Sequence, residues 1–358
     1  MFVLDSHCDT PSQLIRLRKL DKDGSHSHVD FPKLRRGGVD AVFFALFTPN
    51  TMVADAATRY ALQMLEAVYE SVGENPDMAA MAFSPDDAFR NKEDGLISVF
   101  LGMENGLPIQ HDLSLLRLFH RMGVRYMTLC HNGDNEICDS AAGNARWGGL
   151  SGFGREVVAE MNRLGMLVDI AHASDKTFYD CLEASSVPIV STHSCCRALA
   201  SHRRNLSDPM LRALADKGGV VQVNFYPLFL SDSFAHTLAQ SGLEEEADRA
   251  EAAFIASPSD PDAVRAWEKA QDKLKALPRP GVNEIVDHID HAVNVAGIDH
   301  VGIGSDFDGI NVPPLGLEDI SMIGRLFDQM TIRGYSDDQI EKVAGLNFIR
   351  VFNEALRA

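Results

Sequence analysis

Residues 166–174 read Met-Leu-Val-Asp-Ile-Ala-His-Ala-Ser. A short run that is apolar almost throughout fits a strand covered on both faces, as in a parallel sheet. A half-solvated strand would alternate instead. The run ends on an imidazole, His172. Similar runs recur at Val3–Cys8, Val39–Phe47, Ile97–Met103, Val124–Cys130, Met166–Ala171, Val187–Thr192, Gly219–Phe225 and Val301–Ser305. Amphipathic segments lie between them. Over Ala56–Val72, apolar Ala57, Leu62, Leu65 and Val68 recur at helical spacing, and Leu113–Met122 and Phe153–Leu164 behave alike. Strands alternating with helices build βα units. Eight such units closing on themselves predict an α/β fold, a (β/α)8 TIM barrel.

The chain has 358 residues, and a barrel takes about 250. We read a single domain, 1–358, whose surplus sits mainly in a helical insertion between strands 7 and 8. Residues 227–280 hold two Glu- and Ala-rich helical stretches, Glu244–Ile255 and Asp262–Leu277. The breaker Ser257-Pro258-Ser259-Asp260-Pro261 separates them. A solvated helical hairpin is the favoured reading of this insertion, and a lid or subunit contact is the alternative. Ser336-Asp337-Asp338-Gln339 reads as a capping box opening a final helix through Leu356.

Thirty-three basic and 51 acidic residues give a net charge of −18. No basic surplus exists to neutralise a phosphate backbone, so a nucleic-acid partner is not expected. Residues 1–10 show no cationic, apolar leader. The longest apolar run, Ala41–Phe47, falls far short of the roughly 20 residues that span a bilayer. Neither membrane insertion nor a lipid anchor is expected. Cys8, Cys130, Cys138, Cys181, Cys195 and Cys196 read as free thiols in a reducing cytoplasm, because a chain of this length needs no disulfide staples. For Cys195-Cys196 beside His193, packing is favoured over a soft metal site.

Active-site groups of such barrels sit where strands end. Here the strand ends carry His7-Cys8-Asp9, Glu104, His131, His172, His193 and Ser305-Asp306. Alternation places His7 and Asp9 on one face. A single histidine at a strand end is more often a satisfied core residue than a ligand. Burying this many ionisable groups together is costly without a metal or tight pairing. Nitrogen and oxygen donors without thiolate suit Zn2+, with Mn2+, Fe2+ and Co2+ open. Two ions about 3.5–4 Å apart, sharing one carboxylate with a hydroxide between them, would use more ligands than one catalytic zinc needs. Asp287-His288 and Asp290-His291 read as surface residues, His26-Ser27-His28 as a mobile polar loop, and Asp169 as a structural hydrogen bonder. Gly302-x-Gly304 fits no nucleotide-binding pattern.

Taken in context, these residues resemble the membrane (renal) dipeptidase family, a metallopeptidase branch of the amidohydrolase-type barrels. The resemblance runs through D-S-H-C-D-T at 5–10, G-M-E-N-G at 102–106, L-C-H-N at 129–132 and V-D-I-A-H-A-S at 168–174. It continues through S-T-H-S at 191–194, S-H-R-R-N at 201–205, V-N-F-Y at 223–226 and G-I-G-S-D-F-D-G at 302–309. It implies a zinc-dependent dipeptidase acting on dipeptides with a free C-terminal carboxylate, D-residues at that position included. The attacking group would be a metal-bridging hydroxide. His7 and Asp9 would hold one zinc, His172 and His193 the other, and Glu104 would bridge both. His131 would contact the substrate near the scissile carbonyl, Arg204 would bind the terminal carboxylate, and Asp306 would handle the proton. Tyr226 and Phe225 are candidate pocket walls, and a homodimer is the assembly the family suggests. One departure is Asn105-Gly106, where the family often shows two glycines.

The chemistry of these side chains agrees with those roles. A donor such as His131 aimed at a developing oxyanion is worth about 3–4 kcal/mol in other systems. Asp306 could take the water's proton and pass it to the leaving nitrogen. Arg204 offers a planar fork for a carboxylate. Two other classes stay open: a metal hydrolase on the same barrel acting on a lactone, cyclic amide or β-lactam-like bond, and a non-catalytic barrel used as a scaffold.

Overall fold

The computed structural model describes residues 1–16, 19–24, 27–257 and 259–357. His26 of the first loop and Pro258 of the breaker lie outside the described residues. All eight expected runs form strands: β1 (Leu4–Cys8), β2 (Ala41–Phe47), β4 (Ile97–Glu104), β5 (Val124–Thr128), β6 (Leu167–Asp169), β7 (Val190–Ser191), β8 (Val220–Val223) and β9 (Val301–Ile303). They pair in parallel in the order β1-β2-β4-β5-β6-β7-β8-β9. The seam closes just past β9. Cys8 bridges Phe307 in parallel, the Asp306 amide donates to the His7 carbonyl at 3.0 Å, and the Asp9 amide to the Phe307 carbonyl at 2.9 Å. The fold is a (β/α)8 barrel.

The continuous apolar runs follow from burial on both sides. Outward side chains of the strands, such as Val42 and Phe44, pack with Leu34, Ala61 and Met64 of the surrounding helices. Inward ones, Phe43, Phe100, Tyr126, Leu167, Val190 and Val220, form a second cluster with Phe348 and Phe352 of helix Asn347–Leu356. Phe43 and Phe100 stack at 4.7 Å. A barrel packed this way leaves its open space above the strand ends.

Several details depart from expectation. A ninth strand, β3 (Ala79–Met81), pairs with Ile97–Val99 at the start of β4. Strand β5 meets β4 only from Leu101 onward, so β3 occupies the edge that β5 leaves uncovered. The capping box forms as read, with Ser336 and Gln339 bonded reciprocally, but the final helix is not continuous. A π turn over Lys342–Leu346 interrupts it. There Gly345 packs on the β1 entry, where a Cβ would lie 3.0 Å from Phe2 O and from Leu4 Cβ. His288 corrects the surface reading: it is 1% exposed. Its Nδ1 accepts from the Cys196 amide at 3.0 Å and its Nε2 lies 3.2 Å from the Leu230 carbonyl. Asp287 and Asp290 pair with Arg333, and His291 with Asp208. Phe225 is also fully buried, against Phe307, rather than in a pocket wall.

The insertion is built from four helices, Pro227–Leu230, Asp232–Ser241, Leu243–Ala256 and Pro261–Lys275. Its Phe234, Leu238, Ala247, Ala270 and Leu274 form a small core together with Val312 from the segment after β9. Its outer face is solvated as expected. Helix Leu243–Ala256, however, presents Glu251 and Ile255 to the cavity over the strand ends. The insertion therefore contributes to the lining of the barrel mouth. No described helix is long and apolar enough to cross a membrane.

Candidate active site

The mouth is a cavity of about 410 Å³ lined by Asp9, Glu104, His131, His172, Arg204, Tyr226 and Asp306, among others. That lies within the range of small-molecule sites. Strand ends supply the polar floor. His7 stands in β1, where the pairing register with β2 shifts between Asp5 and Cys8, an irregularity of the kind that re-aims side chains beside sites. Glu104 closes β4. His131, His172, His193, Tyr226 and Asp306 follow the ends of β5, β6, β7, β8 and β9 in turn.

Glu104 is the hub. Its Oε1 lies 3.0 Å from His172 Nε2 and 3.6 Å from His193 Nε2, and its Oε2 lies 3.5 Å from His7 Nε2. His7 Nε2 is also 3.5 Å from Asp9 Oδ2. His172 Nε2 and His193 Nε2 face each other at 3.0 Å. Among the described residues, three groups have ligand atoms within 4.8 Å of one another: His7, Glu104 and His193; Glu104, His131 and His172; His7, Asp9 and Asp306. The five expected ligands thus come together, with His131 and Asp306 drawn in beside them. His193 sits between the two halves, its ring 3.9 Å from that of His7 and 5.1 Å from that of His172.

The opposite edge of each ring decides what the inner edge can do. His7 Nδ1 lies 2.8 Å from the Tyr126 hydroxyl, His172 Nδ1 3.0 Å from Asn132 Oδ1, and His193 Nδ1 2.9 Å from Thr192 Oγ1. Asn132 Oδ1 can only accept, so His172 carries its proton on Nδ1 and turns a bare Nε2 inward. Such outer partners fix tautomers at metal sites. The reach of Tyr126 depends on Gly102 of β4, where a Cβ would fall 2.1 Å from the Tyr126 ring. His7 Nε2 and Asp9 Oδ1 are buried without hydrogen-bond partners.

Electrostatics point the same way. Burial first, and the Arg204 charge with it, hold His172 well below the ordinary imidazole value. His193 is likewise low, through burial and then the charges of His7 and Arg204. Burial also opposes charge on His7, but Glu104 and Asp9 outweigh it and raise its pKa well above the usual value. Burial lifts Asp9, with Glu104 adding to it, and lifts Asp306 as well. Burial works against an ionised Glu104 too, yet the His7 charge outweighs it and holds Glu104 well below the carboxylate range. Inward-facing acceptors crowd around too few protons. A divalent cation would satisfy such a set, and its nitrogen and carboxylate donors fit metal ions of that kind.

Around this floor, His131 rests edge-on against Phe47 at 4.7 Å. Burial, with a push from Arg204, lowers its pKa to about 4. It is neutral at pH 7 and can donate one N–H. Asp306 Oδ2 accepts from Asn224 Nδ2 at 2.9 Å. Arg204 is 5% exposed, its guanidinium 5.4 Å from the Phe229 ring centroid. Among the described residues its one hydrogen bond from the side chain is a 3.4 Å contact to the His193 carbonyl, and Nε has no partner there. Its neighbour Arg203 is exposed.

A match to the family described as Membrane dipeptidase (Peptidase family M19) spans residues 1–358. The chain belongs to this family. An uncharacterized dipeptidase of Schizosaccharomyces pombe is 34% identical over 98% of the chain and 80% of its own length. Dipeptidase tcpJ of Claviceps purpurea is 33% identical over 91% of the chain and 69% of its length. Among solved structures, the probable dipeptidase PvdM of Pseudomonas aeruginosa superposes with a TM-score of 0.85 at 29% identity, covering 100% of this chain and 96% of that one. A metallo peptidase from Rhodobacter sphaeroides, bound to a phosphinate mimic of the dipeptide L-Ala-D-Ala, shares the fold at a TM-score of 0.81 and 24% identity, covering 99% of each chain. The chain is thus a hydrolase of a metallodipeptidase family with candidate metal-binding groups at its barrel mouth.

Sequence reasoning missed the outer partners. Thr192 and Asn132 had a usable signal, since each is a polar residue adjoining a strand-end histidine. Tyr126 had none, because inside β5 it reads as one more core aromatic. Arg16, Glu251 and Ile255, which also line the cavity, come from the turn after a short first helix, Thr10–Leu14, and from the insertion.

Proposed function

We propose that this chain hydrolyses the peptide bond of dipeptides bearing a free C-terminal carboxylate, with two zinc ions as cofactors. His7 and Asp9 would hold one ion, His172 and His193 the other, and Glu104 would bridge them. Bound there, the ions lower the pKa of a water and polarise the scissile carbonyl. The residues of the chain do the rest. His131, neutral at pH 7, donates its N–H to the oxygen that gains charge. Asp306 takes a proton at its carboxylate and returns it to the leaving nitrogen, while Asn224 holds its Oδ2. Arg204 pairs with the terminal carboxylate. Tyr226 and the insertion residues Glu251 and Ile255 bound the side-chain space and limit water. Six buried free thiols fit a reducing compartment such as the cytoplasm.

The observation that carries this reading is Arg204. A buried guanidinium with an unbonded Nε stands over the metal-type floor, and an anionic substrate end is the partner it lacks. The test is a panel of dipeptides with L and D residues at each position, each also supplied as the C-terminal amide, on zinc-reconstituted enzyme. Free dipeptides should be turned over and amides should show sharply reduced kcat/KM. Equal turnover of the amides overturns the carboxylate requirement.

A further inference from the structure

Asp169 lies beneath the site at the end of β6, with no exposed surface. Its Oδ1 accepts the Ala171 amide at 3.0 Å and the Thr192 amide at 2.9 Å. Its Oδ2 accepts the Thr192 hydroxyl at 2.7 Å and the Thr128 hydroxyl. The carboxylate therefore gathers four donors from the ends of β5, β6 and β7, the strands that lead to His131, His172 and His193. A core histidine or a packing role would not require this arrangement, because a buried carboxylate is costly to hold.

The direction of the hydrogen bonds matters most. Thr192 has one hydroxyl proton, and it goes to Asp169, which in its carboxylate form can only accept. The remaining lone pairs of Thr192 Oγ1 face His193 Nδ1 at 2.9 Å. Nδ1 must then carry the proton and donate it. The imidazole is left with a bare Nε2 aimed at Glu104 and at His172 Nε2. No proton moves in this chain, which sets a tautomer and a ring angle. The backbone amide of Thr192, held by the same carboxylate, fixes where the ring starts.

We propose that Asp169, acting through Thr192, is a positioning residue that locks His193 into the metal-binding tautomer and thereby sets the affinity of one of the two metal positions. This rests on the two-metal reading above. Thr192→Val keeps the shape of the side chain and removes its hydroxyl, Thr192→Ser restores the hydroxyl, and Asp169→Asn probes the carboxylate. The readouts are zinc stoichiometry and affinity by competition with a chromophoric chelator, and the visible spectrum of the Co2+-substituted protein. Near-UV circular dichroism monitors packing.

Outer-partner changes at metal sites lower affinity by about 10- to 100-fold. Thr192→Val should lose about that factor for one equivalent, keep the second, and alter the Co2+ spectrum with native circular dichroism. Thr192→Ser should bind within about threefold of the parent, a small fraction of that effect. If Thr192→Val binds both ions with parental affinity, the inference is overturned and the function is untouched. If Thr192→Ser is as weak as Thr192→Val, the hydroxyl is not the cause and the inference is again overturned. If the parent chain itself binds no divalent ion, the proposed function fails together with this inference. Asp169→Asn should weaken the same equivalent, and an unfolded Asp169→Asn leaves the threonine pair as the deciding comparison.

Discussion

Replacing Arg204 by methionine separates what this residue does for substrate from what it does for the fold. Arg204 is 5% exposed and, among the described residues, has an unbonded Nε and makes one 3.4 Å hydrogen bond. Burial lowers its pKa, and the nearby charges of Asp306 and Glu104 oppose that. A charge so poorly partnered contributes little to the resting fold, and exchange of buried ionic groups for apolar ones of similar size is often neutral or stabilising. Methionine can keep contact with Phe229. In metal-loaded protein, where the ions balance the carboxylates, Arg204→Met should therefore not lower Tm. Catalysis should behave differently. Removing one partner of a buried, hydrogen-bonded charge pair costs about 2–5 kcal/mol. At 1.36 kcal/mol per decade, kcat/KM for a free dipeptide should fall about 30- to 5,000-fold. The amidated dipeptide has no charge to lose, so its already low kcat/KM should change by less than about tenfold. The assay is steady-state kinetics on both substrates, with thermal unfolding alongside. An equal proportional loss on the two substrates would refute the carboxylate role. A clear fall in Tm would refute the claim that the guanidinium is held for the ligand.

Four further outcomes follow from the same geometry. Glu104→Gln, which places an amide where His172, His193 and His7 converge, should lose bound metal and activity together; full metal content at a normal rate would be incompatible with a bridging carboxylate. Asp306→Asn should retain metal and lose about 10²–10⁴ in kcat, the usual scale of general acid–base catalysis, and an unchanged kcat would remove Asp306 from the reaction. His288, buried between Cys196 and Leu230, has its pKa lowered to about 4, mainly by burial, against about 6.5 when unfolded. The unfolded chain binds the proton more readily, so this contribution is present above pH 6.5 and is lost as pH falls toward 4, by at most about 3 kcal/mol. The acid-side slope of stability should flatten in His288→Asn, and an identical slope would exclude His288 as its source. Leu274→Ala opens the small core of the insertion, at about 2–5 kcal/mol for a buried leucine. It should raise KM while metal content holds, whereas an unchanged KM would put the insertion outside the substrate path.

Most of the barrel was legible because parallel strands buried on both faces leave continuous apolar runs, such as Met166–Ala171, which no solvated element imitates. The mouth was legible for a related reason. Ionisable residues that end apolar runs, such as Glu104 after Met103 or His193 after Thr192, have no apolar face to join and collect at one rim. What escaped was whatever depends on a neighbour distant in sequence. β3 exists because β5 starts late along β4. His288 sits on an amphipathic helix whose pattern reads as surface at that position, yet two backbone groups from elsewhere claim both ring nitrogens. Tyr126 reaches His7 only because Gly102 clears its path. The insertion's share in lining the mouth needed the third dimension too, since Glu251 and Ile255 belong to a helix whose composition is that of a solvated one.

Backbone conformation bears on whether this barrel is a working site or a scaffold. Asn105, His172 and Asp306 stand at φ of +77°, +69° and +63°, each just beyond a strand end. Residues held in the left-handed region cost on the order of 1–3 kcal/mol each, and Asn, Asp and His are among the side chains that tolerate it best. At Asn105 the side chain compensates by donating to the Thr48 carbonyl at 2.9 Å and accepting from Asn135 Nδ2 at 3.0 Å. His172 is held through its carbonyl by the Ala141 amide at 2.8 Å, and Asp306 through its amide by the His7 carbonyl at 3.0 Å. A left-handed residue at a strand exit turns the following chain away from the rim while its own neighbourhood stays over the mouth. The strain thus falls where side chains must converge and where the surrounding ladder prevents relaxation. A barrel serving only as a scaffold would gain stability by relaxing those exits and by replacing the facing, proton-poor imidazoles with apolar groups. This chain keeps both costs at the same rim, together with an Arg204 whose Nε has no hydrogen-bond partner among the described residues, and the proposed cations below and anionic substrate end above would account for the combination.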